Sequence, residues 1–135
     1  MGADRFNGDL SSWDTSSVTD MGALFQSALS FEGTGLSAWK TSLVTNMKGL
    51  FEEAVSFQAD LSAWDVSNVV DMGEIFQYAS SFNSDLSYWD VAKVEVFSYA
   101  FSGACSFNRD VSSWNVQMAS TMVGMVSGGR CWLIC

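Results

Sequence analysis

Apolar and polar positions along this chain follow a unit of about twenty-five residues written five times. Trp13, Trp39, Trp64, Trp89 and Trp114 fall 26, 25, 25 and 25 residues apart, and Phe6, Phe31, Phe57, Phe82 and Phe107 keep the same beat. A period of this size marks a stacked array, in which one unit cannot bury its apolar face but neighbouring units bury it together. Within each unit the pattern changes. The stretch L-S-x-W-D-V at 61–66 recurs in the other units and spaces its apolar residues as L-x-x-L-x-L. This predicts a short strand with Trp64 and Val66 inward and Ala63 and Asp65 outward. Val69, Met72, Ile75, Phe76 and Ala79 follow at helical spacing, as do Val18, Met21, Leu24, Phe25 and Ala28, which predicts a short helix with one buried stripe. Ser17 and Asn68, each followed three residues later by an Asp, read as helix caps.

The predicted fold is therefore an α/β repeat solenoid, leucine-rich-repeat-like, with one short parallel strand and one short helix per coil. Its coils run at about 6–30, 31–56, 57–81, 82–106 and 107–131 within a single array over 1–135. Trp13, Trp39, Trp64, Trp89, Trp114, Phe57, Phe82 and Phe107 are read as structural core. Unit two carries one extra residue before its Trp, with Gly33-Thr34-Gly35 in place of the usual x-D, so a bulge is expected there. Ala3-Asp4-Arg5-Phe6 matches the A-x-x-F that closes each unit, and Gly129 and Trp132 occupy the next A and F columns. The chain thus reads as a fragment of a longer array without terminal caps.

Composition narrows the chemistry. Fifteen acids against six bases set the formal net charge at −9, which opposes attraction to nucleic acid and to anionic lipid. Histidine is absent, removing the usual neutral-pH general base and the commonest metal ligand. No apolar run approaches the roughly 20 residues of a membrane span, so no membrane insertion is expected, and the first residues have no signal-peptide core. Cys105, Cys131 and Cys135 show no metal-like spacing. Cys105 and Cys131 lie in neighbouring columns one coil apart, so either a disulfide clip or two reduced thiols fits the spacing.

The residues with room for chemistry are the outward ones. Asp14, Lys40, Asp65, Asp90 and Asn115 form one column, and Ser12, Ala38, Ala63, Tyr88 and Ser113 the next. Asp60, Asp85 and Asp110 form a third. Stacked carboxylates suggest calcium or acid/base catalysis, but a catalytic site is singular whereas these acids repeat with the coil. Asp in such turns commonly bonds its own backbone two residues on. No catalytic residue, metal ligand or cofactor site is assigned, and the chain is not expected to be an enzyme. Lys40, Asp65, Tyr88 and Asp90 are the candidate partner contacts, because there side-chain identity departs from the repeat.

The unit F-N-x-D-L-S-x-W-D-V-S-x-V-x-D-M-x-x-x-F-x-x-A-S-S-F-N resembles the repeat of the BspA-like family of leucine-rich-repeat surface proteins, in the short form abundant in mycoplasma-type lipoproteins. The resemblance covers Ala3 to about Met125. It implies a curved parallel β/α solenoid, cell-surface or secreted display of the parent protein, and a role in attachment or protein binding, with no catalytic motif to carry over. The expected function is a non-catalytic module that binds a protein or glycan through a concave parallel sheet. The alternatives are a structural spacer or stalk, and, more distantly, a calcium-binding solenoid.

Overall fold

Each apolar pair spaced three apart closes a β-turn. In the third coil the N–H of Trp64 donates to the Leu61 carbonyl, Val69 to Val66, Ile75 to Met72, Ala79 to Phe76 and Phe82 to Ala79. Both ends of every one of these turns are buried, while the residues between them are mostly exposed or partly so. A four-residue turn brings its first and last residues together, so one coil is a polygon of turns whose corners point inward. The computed structural model describes residues 3–127.

This geometry corrects the predicted fold class. About 2% of the residues are helical and 4% lie in strand-type pairs. Among the described residues there is one short 3-10 helix, Leu36–Ala38, and there are four isolated parallel bridges, each linking one coil to the next. The α/β leucine-rich-repeat solenoid, with its strand and helix in each coil and its concave parallel sheet, does not form. The predicted strand at 61–66 is a turn, 61–64, followed by the start of a second, 66–69. The predicted helix at 69–79 is a pair of successive turns, 72–75 and 76–79. Turns and helices both put residues three apart on one side, so spacing alone could not separate them. The third residue of each of these two turns has a left-handed backbone, Glu74 at φ 60 and Tyr78 at φ 58, which a helix does not admit.

The coils are joined by a ladder that runs one way. Met47, Gly49, Phe51 and Glu53 donate their N–H groups to the carbonyls of Asp71, Gly73, Ile75 and Gln77 in the next coil, at 2.7–2.9 Å. Met72, Glu74, Phe76 and Tyr78 repeat the pattern toward Val96, Ser98, Ala100 and Ser102. The peptide joining Lys48 to Gly49 thus offers its carbonyl to Ala23 in the coil before and its N–H to Gly73 in the coil after. A parallel sheet would exchange bonds in both directions. Here a returning bond appears beside the ladder, as from Asp71 N–H to Thr45 O, and there a single bridge closes.

Inside the ladder sits an aromatic core. Trp39 stacks on Trp64 at 6.3 Å, and Phe51 on Phe57 at 3.9 Å. A buried indole N–H needs an acceptor, and each finds the leucine carbonyl of the preceding coil: Trp39 to Leu10, Trp64 to Leu36, Trp89 to Leu61 and Trp114 to Leu86, at 2.8–3.1 Å. Trp39, Trp64, Trp89, Trp114, Phe57 and Phe82 are buried, and Phe107 is partly buried against them. Trp13 differs: it is 55% exposed, stacked on Trp39 at 6.1 Å. The extra residue of the second coil is absorbed by Gly33 and Gly35, at φ 97 and 92. A Cβ at Gly35 would lie 2.2 Å from the Ser11 nitrogen, so only glycine fits.

Candidate functional site

Polar residues flanking the turns are tied to the backbone before they are available to a ligand. Asp9, Asp60, Asp85 and Asp110 each accept the N–H of the serine two residues on, at 2.8–2.9 Å. A second column after the tryptophans does the same: Asp14 accepts from Ser16, Asp65 from Ser67, Asp90 from Ala92 and Asn115 from Gln117. Such bonds stabilise the ionised carboxylate. The Ser62 N–H thereby holds Asp60 below the usual carboxylate value, partly opposed by burial and by the charge of Asp85. For Asp65 the Ser67 hydroxyl contributes most, then its N–H. Among the described residues, no three acids, histidines or cysteines converge as metal ligands do.

The four candidate contacts lie on the ridge formed by the tryptophan turns, not on a sheet. Lys40, Asp65 and Asp90 stand in one column in successive coils, all exposed. The buried Thr41 hydroxyl donates to the Asp65 carbonyl at 2.9 Å, joining the first two coils beneath the row. Lys40 lacks the carboxylate of its column, and its own N–H is instead held by the Thr15 hydroxyl at 2.9 Å. Tyr88 is 81% exposed, and the neighbouring Trp89 is buried and bonded to the Leu61 carbonyl. The structure therefore brings Lys40, Asp65 and Asp90 into one row, with Tyr88 beside its far end.

Two further exposed aromatics were not singled out by sequence reasoning. Tyr78 and Tyr99 occupy left-handed positions, at φ 58 in both cases, on the ladder side of the coils. Their columns hold glycine in other coils, Gly103 below Tyr78 and Gly49 and Gly124 around Tyr99. That recurrence of glycine was the available signal, since it marks a backbone most side chains avoid. In the coils before them a shallow groove of about 310 Å³ is lined in part by Asp20, Asn46, Lys48, Glu52 and Glu74. Lys48 reaches Glu74 at 3.9 Å, an exposed pair of small energetic weight.

Cys105 is engaged in a disulfide; Cys131, with which the spacing allowed a clip, lies outside the described residues, as do Cys135, Gly129 and Trp132. No helix among the described residues is long and apolar enough to cross a membrane. No curated protein and no solved structure matches the chain significantly. A family model does match, over residues 1–35 and again over 30–131. Because these spans take in all five coils, the chain belongs to the family described as Mycoplasma protein of unknown function, DUF285.

Proposed function

We propose that this protein is a non-catalytic binding module, displayed at a cell surface or secreted as part of its parent protein, that holds a protein or glycan on the tryptophan-turn ridge. The observation that carries the reading is Tyr88, a large amphipathic side chain 81% exposed on a turn whose backbone is fixed by the buried Trp89. An anchor on a rigid support loses little conformational freedom on binding, and tyrosine is enriched among residues that dominate interface energies. Lys40, Asp65 and Asp90 would set orientation and partner charge along the same row. The resemblance of the repeat to the BspA-like surface proteins supports attachment as the role. The acids argue for neither catalysis nor calcium, because each already serves its own turn.

Strict repetition of the backbone ladder from coil to coil favours a second reading, a spacer that only adds length. Surface plasmon resonance of the immobilised chain against a glycan array and purified cell-surface proteins separates the two. A ligand of the ridge should bind Tyr88→Ala more weakly by about 2 kcal/mol or more and leave Ser56→Ala, away from the ridge, unaffected. A ligand that binds the Tyr88→Ala and Asp90→Ala proteins as tightly as the parent would leave the spacer as the better account.

A further inference from the structure

The left-handed columns on the ladder side carry an order of their own. One reads Ala23, Gly49, Glu74, Tyr99, Gly124 through successive coils, and the other Ser27, Glu53, Tyr78, Gly103. In both, glutamate, tyrosine and glycine follow one another, with the second column one coil ahead of the first. The order has steric content. A Cβ added at Gly103 would lie 2.4 Å from the Tyr78 ring, and one at Gly124 would lie 2.5 Å from the Tyr99 ring. Each ring therefore rests directly on the glycine of the next coil instead of swinging in solvent. Each keeps an open side, Tyr78 being 51% and Tyr99 39% exposed. Each glutamate stands one coil behind its tyrosine, roughly 5 Å away along the stack. Left-handed backbone disfavours any residue with a Cβ, and glycine fills the same columns elsewhere in this chain. Backbone geometry alone thus gives no reason for tyrosine or glutamate here.

We propose that Tyr78 and Tyr99, with Glu53 and Glu74, form a second docking surface, and that its occupant is a basic polypeptide segment whose arginine or lysine side chains lie on the two rings. A cation over an aromatic face is attracted by the ring's quadrupole. The Glu53 carboxylate, which accepts the Ser27 hydroxyl at 2.9 Å in the coil before it, and the Glu74 carboxylate keep lone pairs for charge-assisted hydrogen bonds from the basic side chains of the same segment. Charge complementarity selects the occupant: the chain carries 15 acids against 6 bases, a field that speeds encounter with a cationic partner. Lys48 reaches Glu74 only at 3.9 Å and in solvent, a contact an incoming arginine can displace. The surface is independent of the Tyr88 ridge. Phe76, two residues before Tyr78, meets Trp89 through the core at 6.2 Å, which puts the two tyrosine sites on different sides of the stack.

Fluorescence anisotropy of a labelled oligo-arginine peptide, titrated with the full chain at low and at moderate salt, tests this. Tyr78→Ala and Tyr99→Ala should each weaken binding roughly two- to five-fold, the range of an exposed cation–π contact. Tyr78→Phe and Tyr99→Phe should bind as the parent does, since the ring and not the hydroxyl holds the cation. Glu53→Gln and Glu74→Gln, which leave the rings in place, should weaken binding and flatten its salt dependence, and Tyr88→Ala should change nothing. Near-UV circular dichroism of the stacked tryptophans checks that each variant is folded. Peptide affinity indifferent to both rings would mean that net charge alone attracts it and would overturn the proposal. So would saturable binding of a neutral oligosaccharide that needs the two rings when the peptide does not.

Discussion

At the scale of single residues, the tryptophan column binds each coil to the one before it. Trp64 stacks on Trp39, meets Phe51 across the core at 6.0 Å, and closes a 2.8 Å bond to the Leu36 carbonyl. That carbonyl also accepts the Trp39 N–H, so both its lone pairs are used and the seam is fully paired. Trp64→Ala should therefore cost about 3–5 kcal/mol, the range for deleting a buried aromatic. Trp64→Phe, which keeps a ring but drops the indole donor, should cost less. Trp13→Ala should be the mildest, because Trp13 stacks on one side only and is 55% exposed. Urea unfolding curves of the three variants give the ranking, and a Trp13 change as damaging as the Trp64 change would contradict it. Among the described residues the three tyrosines are exposed, whereas most of the phenylalanine and tryptophan rings were legible as core from spacing alone.

At the scale of the element, the unit is the turn with its aspartate. Hydrogen bonds from the serine two residues on hold Asp9, Asp14, Asp60, Asp65, Asp85 and Asp110 below the usual 3.8. A carboxyl whose folded pKa is depressed stabilises the fold fully above its unfolded value, and the contribution is lost as pH falls through the folded value. The melting temperature should thus be insensitive to these groups near neutral pH and should decline below about pH 4. Asp60→Asn and Asp85→Asn should shrink that decline while preserving the turn, since an amide oxygen also accepts the N–H. Asp60→Ala should lower stability at all pH values. Thermal melts across the acid range check this, and an unchanged acid slope in the Asn variants would show that other groups control it. The D-x-S pattern made these bonds readable in the sequence. The strand and helix assigned to the same residues were not supported, because an apolar pair three apart looks alike in a turn and in a helix.

At the scale of the whole molecule, the coils bring like charges into columns. Asp60 and Asp85 repel across one coil, enough to offset part of the lowering at Asp60, and the chain as a whole carries −9. Screening should relieve this repulsion, so the melting temperature should rise as sodium chloride is added from low to moderate concentration. A fall over that range would mean that attractive pairs outweigh the repulsion, contrary to the single long ion pair found among the described residues.

Read by itself, the sequence determined the length of the unit, the number of coils, the identity of most of the core and the surface position of Tyr88, because these depend only on which residues recur and how polar they are. Tertiary structure alone decided what path the backbone takes between those residues. A helix keeps its N–H bonds within its own segment, whereas here the N–H groups of Met47, Gly49, Phe51 and Glu53 reach carbonyls twenty-four residues further on. Those acceptors come within reach only after the coils have stacked. The same stacking sets Tyr78 on Gly103 and Tyr99 on Gly124, contacts between residues twenty-five apart that no local pattern announces.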